Sequence, residues 1–380
     1  MFVSLKQSIN SILLTLLSKF PKNNKIVFVN FWGRGYGDNL KYIADEIMSR
    51  NLSFDLVWLV GDMSLAFPNG IRKVKYYSLK SKFELSTAKV IISNAKGILP
   101  YVKTHSQYYI QTWHGGFPLK YIEKEAENDL SEEYVRNSMF DSSITDLIIS
   151  GSDFQTEIIE KSFWYEGEIF KHGIPRNDIF FNFTEDKICK IKHKLGFVKN
   201  DRIVTYVPTF RDDNKISAYN LDTVSLLATL HKKTGYQWKL IIRLHPNVAC
   251  QSNIFDYGES VINGTVYDDP QELLLISDIL ITDYSSMMMD FAIMKKPVFL
   301  FATDLEHYVS ACRNLRPIFY KLPFDLCTSN EVLYNKIKDF DIKTYIERLN
   351  SFLEIYYKSY DDGRASKHVV DRIEKVMEQL

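Results

Sequence analysis

Short apolar runs rich in β-branched and aromatic residues recur along this chain, and most lead into a stretch with helical spacing. The runs are KIVFVNF (25–31), DLVWLV (55–60), AKVIIS (88–93), QYYIQT (107–112) and DLIIS (146–150). A second series reads RIVTYVP (202–208), WKLIIRL (238–244), DILIT (278–282) and PVFLF (297–301). Helical spacing falls at 39–50, 153–161, 221–233 and 286–295. This alternation predicts an α/β protein with parallel sheets. Two series of similar size predict two domains. The polar stretch and helix in FNFTEDKICKIKHKLG (181–196) separate them, with the boundary near 185. The expected parts are a first domain over 25–185, a second over 186–355 and a C-terminal segment, 356–380. Its amphipathic helix is expected to pack back on the first domain.

Lys plus Arg equals Asp plus Glu at 47 each. No global basic field is available for nucleic acid, and no nucleic-acid partner is expected. Cys189, Cys250, Cys312 and Cys327 form no CxxC pair and have no His at finger spacing. Neither a metal site nor a disulfide framework is indicated, and a reducing cytoplasmic compartment fits. The first 24 residues carry Lys6, Lys19 and Lys22 and no acid. Phe2, Leu5, Ile9, Ile12, Leu13, Leu16, Leu17 and Phe20 fall at helical spacing. The run is too short to span a bilayer. It reads either as an interfacial helix on an anionic membrane surface or as a helix packed on the first domain.

Ligands of open parallel sheets bind beyond the carboxyl ends of the strands. The strands here lead into GRGYGDN (33–39), WHGGFPLK (113–120), TFRDD (209–213), RLHPN (243–247) and DYSS (283–286). GRGYGDN is not a dinucleotide fingerprint, since it reads GxGxG; it reads as a tight turn with Asp38 or Asn39 as helix cap. In DYSS, Ser285 and Ser286 stand where a helix begins. They offer hydroxyls and free N–H groups to a phosphate, or simply a cap. Asp290 one turn later would reach a ribose hydroxyl or complement the helix dipole. Arg243 and His245, two apart, are expected on one face, converging on a phosphate. Arg211 is a further phosphate contact, with Thr209 and Asp283 as supporting loop residues. Gly115 and Gly116 are expected to turn the backbone sharply and point His114 toward a ligand. Its pKa is expected near the unperturbed imidazole value. Asp212 and Asp213 are a lone acidic pair, not a metal cluster.

These stretches together resemble the CDP-glycerol glycerophosphotransferase family of teichoic-acid primases and polymerases. The resemblance rests on QTWHG with PLK (111–115, 118–120), PRND (175–178), YVPTFRDD (206–213), RLHP (243–246) and ITDYSSMMMDFAIMKKPVFLF (281–301). DLEHY (304–308) and DDGRAS (361–366) continue it, so it covers nearly the whole chain from about residue 25. It implies a GT-B-like fold, two Rossmann-type domains facing each other across a cleft, with the donor held by the second. It also implies a CDP-activated polyol phosphate, glycerol before ribitol, and His114 and His245 as the functional histidines. The implied acceptor is a hydroxyl of a lipid-linked (polyprenyl diphosphate) or polymeric envelope glycan, at the inner face of the membrane. No cofactor is implied. The chain departs from the family pattern at HGGFPLK, one residue longer than usual, and in the acidic stretch 123–133. A nucleotide-sugar glycosyltransferase on the same fold, and a non-catalytic nucleotide-binding scaffold, are the alternatives.

Overall fold

The computed structural model describes residues 12–97, 102–211, 218–245, 248, 254–312 and 314–380. They divide into two units. The first holds the chain up to His114, then Ile122–Asp178 and Ser359–Leu380; the second holds Gly115–Tyr121 and Ile179–Lys358. The first unit thus ends somewhat before 185, and it takes in the last residues of the chain.

The strands of the first unit are β1 (Asn23–Val29), β2 (Asp55–Val60), β3 (Ile71–Lys75), β4 (Ala88–Ser93), β5 (Tyr108–Gln111), β6 (Leu147–Ser150) and β7 (Glu168–Lys171). They pair in parallel in the order β3-β2-β1-β4-β5-β6-β7. In the second unit β8 (Arg202–Val207), β9 (Trp238–Ile242), β10 (Val261–Asn263), β11 (Ile279–Thr282), β12 (Val298–Phe301) and β13 (Asp325–Cys327) lie in the order β10-β9-β8-β11-β12-β13. Every pair there is also parallel. Both are Rossmann-type orders, and the fold class is α/β, GT-B-like, as the sequence predicts. The order reverses between β1 and β4 in one sheet and between β8 and β11 in the other. Those switch points are where such sheets open a crevice.

All nine strands read from the sequence form. Among the described residues there are four more, β3, β7, β10 and β13, and each is the edge of its sheet. Sequences such as IRKVK and EIFK are half exposed and carry charge. Polar edge strands lack the apolar run that marks a doubly buried one.

Several helices start on side-chain caps. Ser152, Thr184 and Asp222 accept the N–H of Gln155, Lys187 and Ser225, and so open α-helices Asp153–Ser162, Glu185–Lys194 and Thr223–Thr234. The final helix, Ala365–Gln379, closes the first unit. Its Val369, Val370, Ile373, Val376 and Met377 join one core with Ile26, Phe28, Trp58, Val90 and Ile110 of the sheet and Leu40 and Ile43 of helix Asp38–Ser49. Each such apolar side chain stabilises by about 1.5–3 kcal/mol when fully buried.

The stretch HGIPRND (172–178), which includes PRND, seats this helix. Asp178 accepts the N–H of Ala365 at 3.0 Å and of Ser366 at 2.7 Å, acting as a cap from elsewhere in the chain. Burial pushes its pKa up, against the pull of those N–H groups. Asp361 accepts the N–H of Ile174 at 2.7 Å. Gly173 lies at φ +89°, and a Cβ there would meet Asp361 and Ala365 at 3.0–3.2 Å. Asp178→Ala leaves two buried N–H groups without their acceptor and should cost about 1–3 kcal/mol. Urea unfolding of Asp178→Ala beside Asp178→Asn, which keeps one acceptor, checks this; equal stability of wild type and Ala variant would refute it.

Candidate active site

In the first unit β5 ends at Gln111, and the chain then runs over the β1/β4 switch point. Trp113 takes φ +52°, a left-handed conformation costly for a bulky residue. Its N–H donates to Gln111 Oε1 at 3.0 Å, and its carbonyl accepts from Asn39 Nδ2 at 3.0 Å. Its buried ring packs on Phe163. The sharp turn expected at the glycines is therefore made by Trp113, since neither Gly115 nor Gly116 has positive φ.

His114 comes next. Its Nδ1 lies 2.8 Å from the backbone oxygen of Asn94, just past β4. A carbonyl only accepts, so Nδ1 carries the proton and Nε2 of the neutral ring keeps its lone pair. The ring sits between Trp113 and Phe31, with centroids at 4.3 and 5.2 Å. Burial lowers its pKa below the usual imidazole value, against the opposing pull of the Asn94 carbonyl. The unperturbed value expected from sequence is thus displaced downward.

Arg176 locks this loop from beneath. Its Nη1 donates to the His114 carbonyl at 2.9 Å and pairs with Asp38 at 3.1 Å. The Arg176 N–H donates to Asn39 Oδ1 at 3.2 Å. Asp38 and Asn39 are thus not helix caps. Gly37 precedes the helix with no side-chain cap, and the two side chains reach the 113–114 and 176 loops instead. PRND supplies both the Arg that holds His114 and the Asp that seats the last helix.

In the second unit the β8/β11 switch point is built on Asp283. This residue is 1% exposed and accepts the N–H groups of Thr209 (2.8 Å) and Tyr284 (2.6 Å) and Nη2 of Arg211 (2.9 Å). Arg211, 2% exposed, also donates from Nε to Asp304 at 2.6 Å and from Nη1 to the Thr209 carbonyl at 2.6 Å. Its Cζ lies 5.0 Å from each ring of the stacked pair Tyr284 and Tyr308. Two carboxylates push its pKa strongly up, against burial. Arg211 is therefore turned inward and not presented to a ligand, contrary to the expectation from its place after β8. Asp304 and Tyr308 of DLEHY complete this knot, a role that no sequence pattern assigns them.

Asp290 is also turned inward, 1% exposed and accepting from Gln271 Nε2 at 3.2 Å, rather than offered to a ribose. Arg243 and His245 do not converge. The strand ends at Ile242, so the two-residue period no longer governs them. Arg243 turns toward β10, where Nη1 donates to the carbonyls of Gly264 (2.9 Å) and Tyr267 (2.6 Å). His245 is exposed and stacks on Phe210, beyond β8, with centroids 5.7 Å apart. Burial lowers Arg243 to about 10, countered by Asp269 and Asp268. It stays charged at neutral pH, and an anion placed beside it would relieve that burial cost.

Ser285 and Ser286 precede the six-residue helix Met287–Ala292, both half-buried. Ser286 makes no capping bond, and Ser285 Oγ accepts weakly from Met287 N–H at 3.3 Å. Asp212, Asp213, Pro246, Asn247 and Cys250 lie outside the described residues.

Residues 12–375 match the family model described as CDP-glycerol:poly(glycerophosphate) glycerophosphotransferase. The chain is 32% identical to a teichoic acid poly(glycerol phosphate) polymerase of Staphylococcus epidermidis, over 93% of this chain and 51% of that protein. A polymerase of the same description from Bacillus spizizenii is 30% identical, with 97% of both chains covered. The chain thus spans about half of one curated relative and nearly all of another. The solved wall teichoic acid polymerase TagF superposes with a TM-score of 0.85 at 29% identity, covering 99% of this chain and 97% of that one. A TagF histidine variant soaked with CDPG gives the same score.

Removing one partner of a buried ion pair typically costs about 3–5 kcal/mol. Arg211→Met should therefore destabilise by about that amount, through the uncompensated Asp283 and Asp304. Chemical denaturation measures it, and a loss of donor affinity at unchanged stability would return Arg211 to the role of ligand contact.

Proposed function

The chain belongs to the CDP-glycerol:poly(glycerophosphate) glycerophosphotransferase family, and we propose that it moves glycerol phosphate from CDP-glycerol to a hydroxyl of a teichoic-acid-type acceptor, releasing CMP. The observation that carries this reading is the state of His114. Its Nδ1 proton is committed to the Asn94 carbonyl, which leaves Nε2 as a proton acceptor on a ring whose neutral form burial favours. That is what a general base for a hydroxyl requires.

In the proposed step the acceptor hydroxyl oxygen attacks the phosphorus nearer the glycerol as Nε2 takes its proton. The bond from that phosphorus to the bridging oxygen breaks, and CMP departs with its electron pair. Little covalent help is needed; positioning and charge stabilisation dominate. Arg243 supports a diphosphate site because its charge is half-buried against carbonyls. Ser285 and Ser286 add hydroxyls beyond β11, on the other side of β8 from Arg243, and His245 adds an exposed ring. Arg211, Asp283, Thr209 and Asp290 act beneath this surface, as the scaffold that shapes it. The soaked TagF variant supports CDP-glycerol as donor.

Purified protein should release CMP from CDP-glycerol in preference to CDP-ribitol or a UDP-sugar. His114→Ala should lower the single-turnover rate by about 100- to 10,000-fold with donor affinity nearly intact. His245→Ala should weaken donor binding. Because the base must be neutral and burial lowers its pKa, the acid limb of kcat/KM should fall below the ordinary imidazole value of about 6.5. An acid limb clearly above that value, or transfer at the wild-type rate by His114→Ala, sinks the assignment.

We further propose that the N-terminal segment holds the enzyme on an anionic membrane surface. No helix among the described residues is long and apolar enough to cross one. In the helix over 12–18, Leu14 is buried while Ile12 and Leu16 are 62% and 54% exposed. Phe20 is half exposed and meets Phe83 edge-on at 5.8 Å, with exposed Leu79 one turn before Phe83. Exposed Lys19 and Lys80 flank this strip. Such an apolar strip with basic neighbours suits a lipid interface. Full-length protein should sediment with anionic vesicles and be released by salt, and a 1–22 deletion should stay in solution. Equal sedimentation of both would mean that the segment only packs on the protein.

A further inference from the structure

The turn after β1, Phe31-Trp32-Gly33-Arg34, is built with unusual care for a loop. Phe31 and Trp32 both have positive φ, 40° and 56°, a conformation costly for aromatic residues and concentrated at functional sites. Gly33 lies at φ +106°, where a Cβ would come within 2.9 Å of the Gly61 nitrogen. Its backbone is tied at many points. The N–H groups of Gly33 and Arg34 donate to the Asn30 carbonyl at 2.9 and 2.7 Å, and Gly61 N–H donates to the Gly33 carbonyl. Phe31 N–H donates to Asn94 Oδ1 at 2.8 Å, and Trp58 Nε1 to the Arg34 carbonyl at 3.3 Å. Trp32 Nε1 donates to the Lys96 carbonyl at 2.8 Å.

This turn presents the Arg34 guanidinium. The side chain is exposed, and among the described residues it makes no hydrogen bond or ion pair. Its one close partner there is the Phe31 ring, 5.6 Å from Cζ. The same ring lies 5.2 Å from His114. The nearby acid Asp38 is already paired with Arg176, and Asp45 accepts from Tyr36. Partial burial lowers the Arg34 pKa, with no carboxylate to raise it. A cation without a counter-ion, carried on a tethered backbone turn, thus borders the same phenyl ring as the base.

We propose that Arg34 is the acceptor-side phosphate receptor, binding a phosphate ester that neighbours the hydroxyl deprotonated by His114. The inference rests on the reading of His114 as base. A planar guanidinium suits a phosphate by two parallel charge-assisted bonds. The anion is either the phosphodiester of a growing glycerol phosphate chain or the diphosphate of a lipid-linked start.

The probe is glycerophosphoglycerol, titrated calorimetrically into wild type, Arg34→Gln and Arg34→Lys, with thermal melts as a folding control. Loss of a charge-assisted contact should weaken binding by about 10- to 100-fold in Arg34→Gln, and Arg34→Lys should recover part of it. In CMP-release assays the same variant should raise KM for the diester by a similar factor. KM for free glycerol as acceptor, and KM for CDP-glycerol, should not move. A soluble diphosphate monoester that binds more tightly than the diester, and depends on Arg34, would support the receptor and assign it to the lipid-linked start. Equal probe binding by wild type and Arg34→Gln overturns the proposal, as does an equal loss on glycerol and diester. Arg34-dependent binding in a protein that releases no CMP from CDP-glycerol would overturn the proposed activity and leave the receptor standing.

Discussion

Parallel strands cannot be joined by hairpins, and the geometry of this protein derives from that constraint. Each strand must be re-entered from the far end through a crossover, so the residues that leave a strand all gather at one edge of the sheet. Where the winding reverses, neighbouring crossovers part to opposite faces and their loops splay. His114 lies against Asn94 just past β4, and Phe31 just past β1. Thr209 and Asp283 meet across the equivalent point between β8 and β11.

The two units rigidify that edge by different physics. The first relies mainly on amide and carbonyl tethers: Asn39 to Trp113, Asn94 to Phe31, and Arg176 to the backbone of His114. A buried ion pair, Asp38 with Arg176, serves the same loop. The second condenses its support into a buried guanidinium between two carboxylates, flanked by two stacked tyrosines. The opposed charges of Asp38 and Arg176 act on the His114 imidazole in opposite directions, and burial sets the sign of its shift. The one guanidinium of the second unit's knot is committed to two carboxylates, so in the proposed site the cation offered to a phosphate is Arg243, which donates only to carbonyls.

Most of the architecture was legible because doubly buried strands are written as apolar runs, and the nine such runs are the nine inner strands. Edge strands such as IRKVK carry no such mark. The position of the site was legible too, since glycine, histidine and arginine collect after strand ends. Side-chain direction was not. Arg211 and Asp290 look like ligand contacts by type and place, yet both are turned inward by carboxylate or amide partners distant in sequence. Arg243 and His245 share one face only if the strand period continues, and it ends at Ile242. The turn at Trp113 looks from sequence like the work of the glycines beside it, because no local rule places a tryptophan at positive φ. Arg176 and Asn39 could not be found by pattern, since their partners come together only in the folded unit.

The return of the chain to the first unit bears on how the molecule is made. Val369, Val370, Ile373, Val376 and Met377 cover one face of a sheet whose strands leave the ribosome much earlier. All of Ile179–Lys358 is synthesised between β7 and that covering helix. The second unit can close on its own residues during translation, while the first waits with an apolar sheet face bare. Such a face is prone to aggregation until it is covered. The order of synthesis is therefore the reverse of the order of completion, and the unit that carries His114 is the last to become native.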